Sequence, residues 1–246
     1  MSLNHTHVSE KLANNFFFRK LFLLRKLFLT KNKSSHYGQM AEDIALRKFF
    51  PKKHKGIFVD VGCFHPMKYN NTYQFYKRGW RGVNIDIDPI KIEGFRLVRP
   101  KDTNIVTAIS DKEGEITYFS NGFYSPTITL EQSFADGKEG KKYQYKKKTT
   151  KVQTLTNVID STSYKDKKID LLSVDVESHD YYVLKSLDFD RYSPKIIAIE
   201  SQYDNFSAIQ NENTYQFLVQ KDYELVNWVG MTLIFRKKEV KHEHTP

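Results

Sequence analysis

Ile57-Phe58-Val59-Asp60-Val61-Gly62-Cys63, followed by Val83-Asn84-Ile85-Asp86-Ile87-Asp88-Pro89, is the pair of runs on which the reading of this chain turns. Both are short, apolar and end in polar or flexible residues, so strands are expected at Ile57–Val61 and Val83–Ile87. Near-continuous apolar runs of this length suit parallel strands buried on both faces. Gly62 would let the backbone come close to a ligand with no side chain in the way. Asp86 lies 24 residues beyond it (86 − 62). An acid about 20 residues after such a glycine commonly accepts hydrogen bonds from ribose hydroxyls. Pro89 then suits the first turn of a helix. No GxGxxG is present, so a loop that cradles a pyrophosphate is poorly supported. A nucleoside ligand without phosphate, such as S-adenosylmethionine, does not need that loop.

Outward from this pair, strands and helices alternate. Helices are expected at Ala41–Phe50, stopped by Pro51, and at Asn71–Lys77 and Pro89–Val98. A third strand is expected at Asn104–Ile109, and a hairpin arm at Glu115–Phe119 entered through Glu113-Gly114. Residues 120–150 are polar and rich in Gly and Lys, and read as a long basic loop. Alternation resumes with helix Thr154–Asp160, strand Ile169–Val174, helix Tyr181–Leu187, strand Lys195–Glu200 and helix Thr214–Val219. Two short strands, Glu224–Val229 and Met231–Phe235, close the chain around Gly230. The expected class is α/β: a mainly parallel sheet with an antiparallel C-terminal edge and helices on both faces.

The 246 residues carry a formal charge of +10, and the excess is clustered. Residues 11–33 contain Lys11, Arg19, Lys20, Arg25, Lys26, Lys31 and Lys33 with no acid. Lys138, Lys141, Lys142, Lys146, Lys147, Lys148 and Lys151 form a second cluster, relieved by Glu139. Such patches attract nucleic acid, anionic lipid or phosphorylated substrates. Two domains are therefore expected: a basic amphipathic segment, 1–35, and a domain at 36–240 carrying the loop 120–150. Residues 1–10 are polar and unpatterned. Phe16-Phe17-Phe18, Leu21 to Leu24 and Leu27-Phe28-Leu29 are too interrupted for a membrane span. As a helix they fit an anionic membrane surface, or packing on the domain with the lysines solvated. A cytoplasmic location follows, peripheral on the inner face of the membrane if the first reading holds. The single cysteine, Cys63, rules out an internal disulfide framework and a cysteine-based zinc cluster.

The runs Asp60-Val61-Gly62-Cys63 to Pro66, Asn71-Thr72, Gly79-Trp80-Arg81-Gly82 and Ile85-Asp86-Ile87-Asp88-Pro89 resemble the FkbM family of methyltransferases. So do Ala108-Ile109-Ser110-Asp111 with Gly114, Asp170 to Glu177, Leu184-Lys185 and Ile199-Glu200, with Tyr37-Gly38-Gln39 and Glu42-Asp43 upstream. The resemblance spans about residues 36–235. It implies a Rossmann-like methyltransferase fold, S-adenosylmethionine as donor, and O-methylation of sugars or natural products. The family's Asp-Val-Glu-Gly becomes Asp175-Val176-Glu177-Ser178 here, which weakens inference about the acceptor from relatives.

Methyl transfer to an alcohol needs in-line positioning and a general base. Asp175, Glu177 and His179, after the fourth long strand, are the catalytic candidates, and Glu200 could face the same crevice. Asp175 could instead cap the next helix, and His179 could be a solvated surface residue. Asp60, Gly62, Cys63, Asn71, Asp86, Ile109 and Ser110 are the cofactor candidates. For Cys63 the alternative is a small buried thiol, for Asn71 a helix cap, and for Ile109 apolar packing. His65-Pro66 is read as shaping the loop over the cofactor, and Trp80 as core. Asp175, Glu177 and Glu200 supply enough oxygens for a divalent cation, which is allowed but not favoured, so no metal ligand is assigned. His242 and His244 form no ligand set. The leading reading is a sugar or glycolipid O-methyltransferase. Nucleic-acid methylation through Lys138–Lys151 with Tyr143 and Tyr145 is the second, less favoured because no nucleic-acid module accompanies it. A non-catalytic adaptor is the third, and a dehydrogenase is disfavoured by the missing glycine loop.

Overall fold

A computed structural model describes residues 16–25, 35–121, 128–130, 132–137, 141–142, 144–177 and 179–239. The chain divides into two units, Met1–Ser35 and His36–Pro246. Within the first, helix α1 spans Phe16–Leu24. Phe16, Phe17, Leu21 and Leu24 are exposed on it, beside Lys20 and Arg25. Lys11, Lys26, Lys31 and Lys33 lie outside the described residues, as do Lys138, Glu139, Tyr143, Ser178, His242 and His244.

The second unit holds a seven-stranded and a four-stranded sheet. In the first, β1 (Ile57–Val61), β2 (Arg81–Asp86), β3 (Thr103–Val106), β8 (Leu171–Val174) and β9 (Ile196–Glu200) run parallel, in the order β3-β2-β1-β8-β9. β11 (Thr232–Lys237) joins antiparallel to β9, and β10 (Tyr223–Val229) forms the edge outside it. Numbered within this sheet the order is 3-2-1-4-5-7-6. It is the doubly wound Rossmann arrangement with an antiparallel strand inserted near one edge, and its switch point lies between β1 and β8.

Alternation along the strands explains why both faces are covered. Val59, Val61, Leu172, Val174, Ile197 and Ile199 point to one face, against Leu155, Val158, Val183, Leu184 and Leu218. Those partners belong to helices Leu155–Asp160 (α6), Asp180–Lys185 (α7) and Asn213–Gln220 (α9). Phe58, Leu171, Ile196 and Ala198 point to the other face, against Leu46, Phe50, Phe75 and Trp80. Trp80 is the centre of that second layer. Its ring lies 4.8 Å from Phe50 and 4.7 Å from Phe75, and Nε1 donates to the His54 carbonyl at 2.8 Å. Gly82 is dictated by packing, since a Cβ there would run into the Phe58 carbonyl and ring.

Two expectations require correction. The third strand does not run unbroken from Asn104 to Ile109: it leaves the main sheet after Val106, and Ala108–Ile109 (β4) pairs in the four-stranded sheet. Thr107 makes the change, its N–H donating to the Asp86 carbonyl at 3.1 Å and its hydroxyl reaching the Lys151 carbonyl at 3.2 Å. Residues 120–150 are also not one loop. They contain β6 (Ile128–Thr129), helix Gln132–Asp136 (α5) and most of β7 (Lys146–Gln153). β7 pairs antiparallel with β5 (Gly114–Ser120), completing the order β4-β7-β5-β6. The β-branched Thr149, Thr150 and Val152 suit a strand. The interspersed lysines hide the period, because most of this strand faces water.

Candidate active site

The carboxyl ends of β1, β2, β8 and β9 open into one cavity of about 640 Å3, where ligands bind in open α/β sheets. Gly62 follows β1 with φ +77°, and a Cβ there would collide with the Asp175 backbone carbonyl. The glycine therefore lets the β1 and β8 ends close together. Three further cavity residues, Phe64, Tyr69 and Glu177, adopt left-handed backbone at φ +50°, +51° and +54°. Such conformations in bulky residues persist only when surroundings impose them, and they concentrate at functional sites.

Asp86 ends β2 on the cavity wall. One oxygen accepts from Phe64 N–H at 3.0 Å, the other from Asp88 N–H at 2.9 Å, and Lys91 Nζ stands 3.9 Å away. Burial pushes the carboxyl up from its ordinary value, and Lys91 opposes that rise. Asp88 caps helix Pro89–Val98 (α4) by accepting from Ile90 N–H at 2.9 Å, which presents Lys91 in the first turn.

Asp60 and Cys63 are not on the cavity wall. The Asp60 carboxylate accepts from Asn70 Nδ2 at 3.1 Å and Thr72 Oγ1 at 2.7 Å. Asn70 Oδ1 in turn accepts from Thr72 and Tyr73 N–H at 3.0 and 2.8 Å, capping helix Tyr73–Lys77 (α3). Fully buried Arg99 closes the network: Nη1 donates to Asn70 and Thr72, and Nε to Asp102 at 2.8 Å. These groups hold the segment 63–72 from below. Cys63 is buried against Ile92 and Phe95, and burial drives its thiol pKa well up. Asn71 borders a small recess with Glu42, Asp175 and Glu200, its Nδ2 3.5 Å from Ser173 Oγ.

On the β8 and β9 side, Asp175, Glu177, His179 and Glu200 all line the cavity. Asp175 shares a hydrogen bond with Glu200, and burial followed by the Glu200 charge drives its carboxyl well above the usual range. Glu200 is raised by burial as well, and the hydrogen bond with Asp175 opposes that rise. Glu177 is likewise raised by burial, with Lys91 opposing. Asp175 does not cap the following helix; Asp180 is the residue that accepts from Val176 N–H, at 3.3 Å. Asp180 is pushed up to about 7 by burial and by Asp175.

His179 is half-buried, stacked on Tyr182 at 4.7 Å, with Nε2 2.9 Å from Ser110 Oγ. The Ser110 hydroxyl donates to Asp111 Oδ1 at 3.5 Å, so it accepts from Nε2–H. That tautomer leaves Nδ1 as the acceptor nitrogen. Burial lowers the imidazole pKa, which keeps it neutral at physiological pH. Ser110 thus supports His179 from behind, whereas Ile109 lines the cavity directly. No group of three metal-ligating side chains is placed to hold a cation among the described residues.

Lys91, Tyr69, Thr107, Ile116, Ile128, Leu130 and Met231 also line the cavity, and no site role is expected for them from the sequence. Lys91 had a usable signal, being in the first turn after an Asp-Pro helix start. The others had none: Ile116 lies on the expected hairpin arm Glu115–Phe119 without any sign that it faces a cavity, and Ile128 and Leu130 lie in the stretch read as a loop.

A family model described as the methyltransferase FkbM domain matches residues 54–225. No curated protein matches the chain. Among solved structures, the chain is similar to a TehB-like SAM-dependent methyltransferase from Corynebacterium glutamicum, at 13% identity and TM-score 0.40, covering 94% of this chain and 100% of that one. TehB from Haemophilus influenzae is 11% identical, with TM-score 0.43, 87% of this chain and 66% of that chain covered. CalS11, a TDP-rhamnose 3'-O-methyltransferase of calicheamicin biosynthesis, is 11% identical with TM-score 0.36, at 92% and 90% coverage. At these identities and scores the likenesses add nothing to what the strand order already shows.

Proposed function

The chain belongs to the FkbM family of methyltransferases, and on that premise we propose that it transfers the methyl group of S-adenosylmethionine to a sugar hydroxyl on a glycan, glycolipid or natural-product precursor. One observation carries this reading: a single cavity brings Asp86, at the end of β2, together with Asp175, Glu200 and His179 at the β8 and β9 end.

The lining suits the cofactor. Each Asp86 oxygen accepts one backbone N–H and keeps a lone pair for a ribose hydroxyl. Ile87, Ala108 and Ile109 give an uncharged wall beside it, fit for a purine. Among the described residues, Asp86, Asp175, Glu177 and Glu200 face Lys91 as the single lysine or arginine on the wall, a balance that favours a ligand bearing a sulfonium and an ammonium. When bound, the cofactor supplies an electrophilic methyl group. This chain's residues supply the rest. Gly62 and Asp86 bind, with Asp60 and Cys63 holding the loop beneath and Asn71 beside the recess. The Asp175–Glu200 pair holds one proton and hydrogen-bonds the acceptor hydroxyl. Glu177 orients the acceptor from its strained backbone. His179 takes the hydroxyl proton at Nδ1, with Ser110 fixing its ring.

The test is methyl incorporation from isotopically labelled S-adenosylmethionine into fractionated cell extract, with mass spectrometry of the product. An O-methylated sugar is expected; label confined to nucleic acid or protein contradicts the reading. We also propose that residues 11–33 attach the protein to an anionic membrane surface, on the strength of the exposed aromatics and cations of α1. No helix among the described residues is long and apolar enough to cross a membrane. Deleting 1–33 is expected to abolish binding to phosphatidylglycerol vesicles while cofactor affinity persists; equal vesicle binding without the segment sinks the proposal.

A further inference from the structure

β7 reads Lys146-Lys147-Lys148-Thr149-Thr150-Lys151-Val152-Gln153, and its register on β5 sorts those lysines into two sets. Directly paired residues on antiparallel strands share a face, and every second residue returns to it. Ile116 lines the cavity and pairs with Thr150. Lys148, opposite Tyr118, and Lys146, opposite Ser120, therefore share the cavity-side face. Lys147, opposite Phe119, and Lys151, opposite Glu115, lie on the other face.

The two faces differ in charge. The outer one sets Glu115 against Lys151. The cavity-side rungs hold no acid at all: Ser120 with Lys146, Tyr118 with Lys148, Ile116 with Thr150. Lys146 and Lys148 are exposed, and neither pairs with a carboxylate among the described residues. Lys148 Nζ lies 5.9 Å from the Tyr118 ring. Burial and the charges of Asp88 and Asp86 raise the Tyr118 phenol, which places this rung beside the turn that follows β2. At about 3.4 Å per residue, Lys148 sits about 7 Å and Lys146 about 14 Å along the strand from Thr150, the partner of cavity-lining Ile116.

The cavity itself is acidic: among the described residues it has four carboxyl groups, with one proton shared by the Asp175–Glu200 pair, against the ammonium of Lys91. An anionic group is repelled from its depth and attracted to the two lysines on the cavity-side face of the sheet. We propose that the acceptor carries a phosphate or diphosphate group held by Lys146 and Lys148, while its hydroxyl enters toward Asp175 and His179. The inference rests on the methyltransferase reading of the cavity and adds the class of acceptor.

The test uses the full chain saturated with S-adenosylhomocysteine and inorganic pyrophosphate as the probe. Lys146→Glu with Lys148→Glu is compared with Lys147→Glu and Lys151→Glu, which change the net charge equally. The cavity-side pair is expected to weaken pyrophosphate binding about ten-fold or more, the outer pair by less than about two-fold. S-adenosylhomocysteine affinity stays unchanged in both, so failure here is distinct from failure of the cofactor reading. A parallel arm uses phosphatidic acid vesicles with residues 1–33 deleted: face-selective loss there, without it for pyrophosphate, supports the same phosphate site with a lipid headgroup as its source. Equal weakening by both pairs, no binding of either probe, or an RNA oligonucleotide bound and lost equally in both, overturns the proposal.

Discussion

Leu171–Val174, at the centre of the seven-stranded sheet, is buried at every residue, whereas Lys146–Gln153, in the four-stranded sheet, buries only Val152. Both strands serve the same cavity. The first delivers Asp175 from a core that packing holds on both faces. The second belongs to a sheet that supplies a wall through Ile116, Ile128 and Leu130. The difference separates the two ends of the proposed reaction. The proposed chemistry at Asp175 stands on a position that core packing holds, and the proposed phosphate contacts stand on a polar strand that can change sequence at little cost to folding.

On that division the largest effects come from the buried sheet. Gly62→Ala puts a Cβ into the Asp175 carbonyl at a left-handed backbone position. It is expected to destabilise the protein by about 3 kcal/mol or more, read by thermal or urea unfolding. A variant that melts with the wild type breaks the comparison at its strongest point. Next, His179→Gln is expected to lower methyl incorporation by about 10²- to 10⁴-fold while leaving S-adenosylhomocysteine binding intact. The wild-type rate should fall on acidification with a midpoint below that of free imidazole, about 6.5, because burial lowers the pKa. An acid limb that survives in the variant assigns the proton to another group.

A smaller effect concerns Asp180, buried behind the site and raised to about 7. Its folded pKa lies above its unfolded one, so the unfolded chain releases its proton first. Stability present at low pH is then lost as pH rises from about 4 toward 7. Asp180→Asn removes that loss while its amide oxygen can still accept from Val176. The melting temperature of the variant relative to wild type should improve by on the order of 5 °C between pH 5 and pH 8. A gap independent of pH refutes the assignment.

The same contrast explains what the sequence made legible. Ile57–Val61 and Pro89–Val98 were readable to the residue because apolar runs, Gly62 and the Asp88-Pro89 start are local signals. Gly62, Asp86, Ile109, Asp175, Glu177 and His179 were readable as site candidates because strand ends are where such chemistry collects. β7 was not, since a strand with water on most of its residues needs no apolar period. Nor was the place of β11 between β9 and β10, which depends on contacts far apart in the chain. Asp60 looked like a ligand residue because it precedes Gly62. Its partners Asn70, Thr72 and Arg99 lie 10, 12 and 39 positions away, and only the fold brings them together to hold the loop instead.

The central claim is that the cavity at the ends of β1, β2 and β8 holds S-adenosylmethionine by its ribose on Asp86. Calorimetric titration of the full chain with S-adenosylhomocysteine, in wild type and in Asp86→Ala, tests it most directly. The account predicts saturable one-site binding that weakens by about 10- to 100-fold in the variant, the range for lost hydrogen bonds to a charged group. No binding to the wild type, or equal affinity in the two proteins, would contradict it.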